Sequence, residues 1–248
     1  MLRLLRRRWL WMLLAAAVVA AAAFLAWALI IPSPMPQALE ALQSNAQVSV
    51  QTGRWLAFEP TGRQPAVGLV LYPGGRVDYR AYAPAAQSIA AQGYLVVIPG
   101  MPLNLAVLAS GRAGEVIVAF PHVQRWAVGG HSLGGSMAAS YARKQPGKVQ
   151  GLVLWAAYPS GSDDLSGYDL QVVSIYATRD GLTSGADIEA SRRLLPPSTR
   201  WVAIEGGNHA QFGWYGAQSG DQEATISREE QQAQIVAATL ELLRSLTR

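Results

Sequence analysis

The chain has 248 residues, of which 50% are hydrophobic and 15% charged, and it contains no cysteine. This length suits one core of about 200 residues with an appendage, and the lack of cysteine excludes disulfides, thiolate metal sites and a cysteine nucleophile. The net charge of +4 does not indicate nucleic-acid binding, because four arginines in the first eight residues account for it and the remainder carries 16 basic and 16 acidic residues.

The N-terminal segment combines that basic cluster with a long uncharged run. Residues 9–31 are 23 amino acids without a charge, and as a helix they would extend about 34 Å, enough to cross a hydrocarbon core of about 30 Å. Trp9, Trp11 and Trp27 lie near its ends, where indole rings favour the membrane interface. We therefore expect residues 1–8 in the cytoplasm, a single-pass signal anchor in the cell membrane, and the following domain outside the cytoplasm.

A cleaved signal peptide is the alternative, with Ala26-Trp27-Ala28 as a cleavage site. The run is followed by "PSPMPQ", whose three prolines cannot continue a helix. Residues 32–46 are therefore predicted as a stiff Pro-rich linker to a single domain over residues 47–248.

Short apolar runs and helical stretches then alternate along the chain. Strands are predicted at 48–50, 55–58, 66–73, 94–100, 125–130, 151–157, 170–178 and 200–206. Helices are predicted at 81–92, 114–120, 133–144, 184–195 and 227–246, the last with a Ser227/Glu230 capping box. This alternation predicts an α/β fold with a doubly wound, mostly parallel sheet. Functional loops of such a sheet lie at the carboxyl ends of its strands.

One serine lies directly between a predicted strand and a predicted helix, in "VGGHSLGGSM". Gly130 and Gly134 remove side chains where strand and helix come closest, which is the physical content of a G-x-S-x-G elbow. The pattern predicts Ser132 as a nucleophile, although as a bare motif it also occurs by chance.

A serine nucleophile needs a base, and the chain offers three histidines. His131 lies inside the elbow and is expected to point away from Ser132. His122 precedes its strand, which places it at the opposite end of the sheet. His209 follows the last strand in a glycine-rich loop, so His209 is the predicted base.

The base needs a carboxylate that orients it. Asp180 follows the strand that ends "IYATRDGL", and is the predicted acid. Its rivals are Asp163 and Asp164, after the preceding strand. The backbone N–H of Leu133, with that of Gly75 or Arg76 in "YPGGRVDY", is the predicted oxyanion hole.

Five segments carry a family resemblance: "LYPGG", "AQGYLVVIPGMPLNL", "VGGHSLGG", "IYATRDGL" and "GGNHAQFG". Together they resemble the α/β-hydrolase superfamily, and most of all its compact lidless bacterial branch related to dienelactone hydrolases and small carboxylesterases. The order Ser132, Asp180, His209 is that of the superfamily. Pro73 replaces the histidine of many esterases, and the cysteine nucleophile of dienelactone hydrolases is absent.

The resemblance implies an α/β-hydrolase domain over residues 47–248. Only twelve residues, Tyr158 to Asp169, separate two strands where many superfamily members insert a cap, so no cap domain is expected. Residues 101–108, or the aromatic residues Phe212, Trp214 and Tyr215, could cover the site instead. Residues 101–108 could also begin a helix packed on the sheet.

We therefore expect a membrane-anchored serine hydrolase that acts on a small-molecule carboxylic ester or thioester through an acyl-enzyme. No cofactor, metal or nucleic acid is expected. Two alternatives stay open: an acyltransferase that passes the acyl group to an envelope acceptor, and a non-catalytic binding protein on a hydrolase scaffold.

Overall fold

The computed structural model describes residues 2–247, with the side chains of residue 9 and of residues 11–247. Eight strands form one sheet in the order β1-β2-β4-β3-β5-β6-β7-β8. They are β1 (Val48–Gln51), β2 (Trp55–Pro60), β3 (Val67–Tyr72), β4 (Leu95–Pro99), β5 (Arg125–His131), β6 (Gly151–Trp155), β7 (Gln171–Ala177) and β8 (Arg200–Ile204).

The sheet is mixed at one side and parallel elsewhere. β1 and β2 pair as an antiparallel hairpin, and β2 pairs antiparallel with β4. All remaining pairs are parallel, so β3 to β8 end at the same edge. The predicted doubly wound, mostly parallel sheet is confirmed.

Seven α-helices accompany the sheet in the described residues. They are α1 (Leu2–Leu29), α2 (Pro36–Glu40), α3 (Ala83–Ala91), α4 (Arg112–Ala119), α5 (Leu133–Lys144), α6 (Gly185–Ser191) and α7 (Arg228–Ser245). α3 and α7 contribute to the core on one face of the sheet, and α4 and α5 to the core on the other. Successive residues of a strand divide between these cores: Leu69 and Leu71 face one, Val70 and Tyr72 the other.

Several boundaries differ from the prediction. The predicted helix at 81–92 is a 3₁₀ turn, Tyr79–Tyr82, followed by α3, and the one at 184–195 is α6 followed by a 3₁₀ turn. Inside the predicted linker, α2 begins at Pro36, where the missing N–H of proline costs nothing. The Met35 N–H donates to the carbonyl of Trp214 (2.8 Å), so this segment lies against the domain.

α1 is the apolar N-terminal helix that the sequence predicts. Its span Trp11–Leu29 has a mean hydropathy of 2.4, and it is long and apolar enough to cross a membrane. The helix ends at Leu29 rather than Ile31, three residues before Pro32, and only 6% of the span is buried. A helix that packed inside a soluble domain would be covered by protein along its length.

Candidate active site

Ser132 occupies the single residue between β5 and α5. Its backbone has φ 52° and ψ −124°, in a region that a residue with a side chain rarely adopts. The turn is held because the Ser132 N–H donates to the Trp155 carbonyl (2.9 Å) while its own carbonyl begins α5 by accepting from Ser136 (3.1 Å). Ser132 is partly exposed, at the carboxyl edge of the sheet and at the positive end of a helix.

Two glycines allow this turn. A Cβ on Gly130 would lie 2.5 Å from the carbonyl carbon of Gly134, and one on Gly134 would lie 2.5 Å from the carbonyl oxygen of Tyr72. Strand and helix therefore approach more closely than any side chain permits. This matches the physical reading of the G-x-S-x-G pattern.

His209 and Asp180 form a buried pair. His209 Nδ1 lies 2.7 Å from Asp180 Oδ2, and neither side chain has any exposed surface. Asp180 Oδ1 accepts from the backbone N–H groups of Leu182 (2.8 Å) and Thr183 (2.7 Å). A carboxylate only accepts, so Nδ1 carries the hydrogen, and Nε2 presents its lone pair. Nε2 has no hydrogen-bond partner within the described residues.

The rival acids and base lie elsewhere. Asp163 accepts from the Ser160 hydroxyl (2.8 Å), and Asp164 accepts from the Ser166 N–H (2.9 Å), both within their own loop. His122 lies 3.6 Å from Glu59, and it precedes β5 at the amino edge of the sheet. Of the residues considered from sequence, the structure joins only Asp180 to His209.

The loop after β3 contains two backbone N–H groups that could complete the oxyanion hole, and only one of them is already hydrogen-bonded within the described residues. The Arg76 N–H donates to the Asn104 carbonyl (2.8 Å), so it is already committed. The Gly75 and Leu133 N–H groups have no acceptor in the part of the chain that is described. A Cβ on Gly75 would lie 3.1 Å from Leu133 Cδ2, so the two residues are neighbours. Of the two predicted second donors, Gly75 is the one with a free N–H.

A buried tyrosine that sequence reasoning missed joins this loop to the elbow. The Gly74 N–H donates to the Tyr82 hydroxyl oxygen (2.9 Å), and that hydroxyl lies 2.9 Å from His131 Nδ1. Burial raises the pKa of Tyr82, so its hydroxyl keeps its proton. Burial and the adjacent His209 lower the pKa of His131 well below its ordinary value, so that ring stays neutral.

The His131 ring lies against the loop that carries the predicted base His209 (residues 205–213, the base loop). It stacks on Phe212, with centroids 5.4 Å apart and planes 10° apart, and its centroid is 4.5 Å from that of His209. The residue before Ser132 thus packs directly against the ring of His209.

Asp221 is a second residue that sequence reasoning missed, in a stretch that carried no predicted role. Its Oδ2 accepts from the Ala210 N–H (2.8 Å), and its Oδ1 from the N–H groups of His209 (3.2 Å) and Gly181 (3.1 Å). One carboxylate therefore fixes the backbone of both the base loop and the loop that carries Asp180 (residues 178–184, the acid loop).

The first turn of α7 supports the base loop from the other side. Gln231 makes paired hydrogen bonds to the backbone of Asn208, donating at 2.7 Å and accepting at 2.9 Å. The Arg228 guanidinium donates to the carbonyls of Ala210 (2.7 Å) and Gly213. The loop that carries His209 is thus held by residues that follow it in the chain.

A cavity of about 440 Å³ opens beside the elbow and the oxyanion loop. It is lined by Trp27, Pro32, Gly75, Arg76, Val77, Leu105, Leu133, Tyr215, Ala217, Gln218 and Ser219. Residues 101–109 contain two short 3₁₀ turns, Pro102–Asn104 and Ala106–Ala109, and Leu105 between them lines the cavity. Trp27 and Pro32 come from the N-terminal segment, which no sequence pattern had connected to the site.

The fold is shared with solved hydrolases at low sequence identity. A predicted CIB-like hydrolase from Thermoplasma acidophilum superimposes with a TM-score of 0.61 at 16% identity, over 80% of this chain and 99% of that one. A dienelactone hydrolase from Anabaena variabilis gives 0.61 at 15%, over 81% and 99%. The esterase domain of a Rhodothermus marinus protein gives 0.61 at 13%, over 80% and 98%.

No curated protein sequence matches the chain significantly. Residues 68–233, more than half of the chain, match the sequence profile of the Alpha/beta hydrolase family. That segment includes the elbow, Asp180, His209 and Asp221. The strand order, the serine elbow and this match agree, and the chain belongs to the Alpha/beta hydrolase family.

Proposed function

We propose that the chain is a serine hydrolase that cleaves carboxylic esters or thioesters, with Ser132 as nucleophile, His209 as base and Asp180 as orienting acid. The observation that carries the proposal is the buried 2.7 Å contact between Asp180 and His209, which leaves Nε2 without a described partner in a loop at the same sheet edge as the elbow. This is the arrangement in which an imidazole takes a proton from a serine.

The reaction would proceed in two balanced halves. Ser132 Oγ attacks the substrate carbonyl carbon while His209 Nε2 takes the hydroxyl proton, and the N–H groups of Gly75 and Leu133 stabilise the oxyanion. The tetrahedral intermediate collapses, and the leaving alcohol or thiol departs with the proton from Nε2. Water then attacks the acyl-enzyme, gives a proton to Nε2, and the acid leaves as Oγ regains that proton. Asp180 stabilises the imidazolium in both halves.

We further propose that α1 is a retained anchor that places the catalytic domain outside the cytoplasm, because basic residues precede the helix. The contacts of its C-terminal end support retention over cleavage. Ala28, within the alternative cleavage site, is wholly buried against the domain.

The test is labelling of the detergent-solubilised full chain with a fluorophosphonate. We expect labelling of the wild type, none of Ser132→Ala, and at least about 100-fold slower labelling of His209→Ala, because the serine loses its base. Ser136→Ala is the control: this serine follows Ser132 by one helical turn, and its hydroxyl donates to the Tyr158 carbonyl (2.7 Å). Labelling that persists in folded Ser132→Ala, or that is absent from the folded wild type, would contradict the proposal.

A further inference from the structure

The C-terminal end of α1 is hydrogen-bonded to the loops that surround the candidate site. Arg76 donates from Nε to the carbonyl of Trp27 (2.8 Å) and from Nη2 to that of Ile30 (3.0 Å). The Asn104 amide donates to the Ala28 carbonyl (3.0 Å). The Arg76 guanidinium also lies over the Trp27 ring, 4.5 Å from its centroid.

These contacts have a clear electrostatic basis. The last carbonyls of a helix lack intrahelical partners, and that end carries a partial negative charge. A guanidinium satisfies these carbonyls and complements the charge, and an aromatic face adds a cation–π contact. Arg76 directly follows Gly75, the predicted oxyanion donor. The helix end is therefore fixed beside the reacting centre.

The same helix end forms part of the cavity wall. Trp27 and Pro32 line the cavity of about 440 Å³ together with Leu105, Leu133 and Tyr215. These five residues are apolar or aromatic, Gly75 also lines the cavity, and the polar part of the lining is Arg76, Gln218 and Ser219. An acyl chain whose carbonyl lies at Gly75 would thus extend along the end of the membrane helix.

A membrane-spanning α1 would place this cavity at the bilayer surface. The apolar span ends at Leu29, and a tryptophan two residues earlier suits the interface. The exposed side chains near the helix end are themselves apolar: Ile30 is 74% exposed, and Val107 and Leu108, in the loop that binds the helix, are 54% and 53% exposed. Apolar side chains that face water in isolation would face lipid in this orientation.

We propose, on the basis of the serine-hydrolase function above, that the substrate is a long-chain acyl ester of a membrane lipid, which enters the cavity from the bilayer. The acyl chain lies between Trp27, Leu105 and Tyr215. Ser132 takes the acyl group, the lipid alcohol leaves with the proton from His209, and water releases the fatty acid. α1 is then a substrate-binding element as well as an anchor.

The first test compares two esters on the full chain in phosphatidylcholine nanodiscs. One is 1-palmitoylglycerol dissolved in the bilayer, and the other is water-soluble p-nitrophenyl butyrate. Trp27→Ala removes one wall of the acyl cavity, so we expect the ratio of palmitoyl to butyryl turnover to fall about tenfold. Trp11→Ala removes a 61% exposed tryptophan from the other end of the same helix, and should change this ratio less than about twofold.

The outcomes separate the two proposals. An unchanged ratio in folded Trp27→Ala, with the wild type still labelled at Ser132, would overturn the lipid inference and leave the serine hydrolase intact. No hydrolysis of either ester and no labelling would overturn the serine hydrolase itself.

A second test locates the cavity relative to the bilayer surface and does not depend on measuring activity. The chain has no cysteine, so Ser219→Cys at the cavity rim can carry the only bimane label, and Gln124→Cys, exposed at the opposite edge of the sheet, is the control. Lipids with a nitroxide at the headgroup should quench the label at position 219 at least about threefold more than at 124, because contact quenching requires the label to reach the bilayer surface. Equal quenching would overturn the inference.

Discussion

The elbow and the base loop hold their reactive side chains by different means. The elbow is held by steric contact. Strand and helix approach closely at Gly130 and Gly134, and this close packing keeps the backbone of Ser132 at its positive φ. The base loop is held by hydrogen bonds from side chains, chiefly those of Asp221 and Gln231.

This difference teaches where each region is vulnerable. A region fixed by close backbone contact fails when volume is added, since carbonyl groups within a sheet cannot move aside. A region fixed by hydrogen bonds fails when an acceptor is lost and leaves N–H groups unpaired. Substitutions that preserve volume should therefore spare the elbow and harm the base loop.

The largest effect is expected for Gly134→Ala. The added methyl would overlap the Pro73 carbonyl oxygen and lie 2.5 Å from that of Tyr72, so we expect the free energy of unfolding to fall by about 3 kcal/mol and turnover to be lost as the elbow widens. Denaturant unfolding and ester hydrolysis measure both. In Gly161→Ala the methyl would meet nothing described within 4 Å, and both quantities should stay near wild type. Similar free energies of unfolding for the two variants would contradict the explanation by steric overlap.

A smaller effect is expected for Asp221→Asn, which keeps the volume. The amide group replaces one accepting oxygen with a donor, and whichever oxygen is replaced, that donor opposes an N–H of the base loop. Stability should therefore fall by about 2 kcal/mol and kcat by about tenfold. Stopped-flow ester hydrolysis separates kcat from KM. Glu223→Gln makes the same charge change in the same loop, at an exposed carboxylate without a hydrogen bond in the described residues, and should leave kcat unchanged. Equal effects of the two substitutions would indicate charge rather than hydrogen bonding.

The smallest effect is expected for Tyr82→Phe, which removes the hydroxyl that joins the loop after β3 to the elbow. It unpairs the Gly74 N–H and His131 Nδ1 in a buried site, so stability should fall by about 1 kcal/mol and kcat by several fold. Thermal unfolding and esterase assays measure these changes. The control is Tyr94→Phe, a buried tyrosine whose hydroxyl makes no hydrogen bond in the described chain. A Tyr82→Phe enzyme that matches Tyr94→Phe would show that the link has no function.

The sequence predicted the parts that depend on local pattern. A glycine-flanked serine between an apolar strand and a helix has few other interpretations, and the alternation of apolar runs with helical stretches predicts a doubly wound, mostly parallel sheet. Asp180 and His209 were predicted because each follows a strand at its carboxyl end.

The parts that were missed depend on contacts between distant segments. Tyr82 reads as an ordinary helix residue, and only its position under Gly74 and His131 gives its hydroxyl a role. Asp221 belongs to a polar stretch that shows no periodicity. The contact of Trp27 with Arg76 joins the apolar N-terminal helix to the loop after β3, 49 residues away, and composition alone describes each without the other.

Three residues that hold the base loop follow the proposed triad in the chain, which has a consequence for how activity arises during synthesis. Ser132, Asp180 and His209 leave the ribosome before Asp221, Arg228 and Gln231 do. A nascent chain that stops short of residue 221 would carry the proposed triad, but its base loop would lack the hydrogen bonds that the three later side chains supply. We therefore expect hydrolytic activity to appear only once residue 231 has been synthesised and folded, and a product truncated before residue 221 to be inactive.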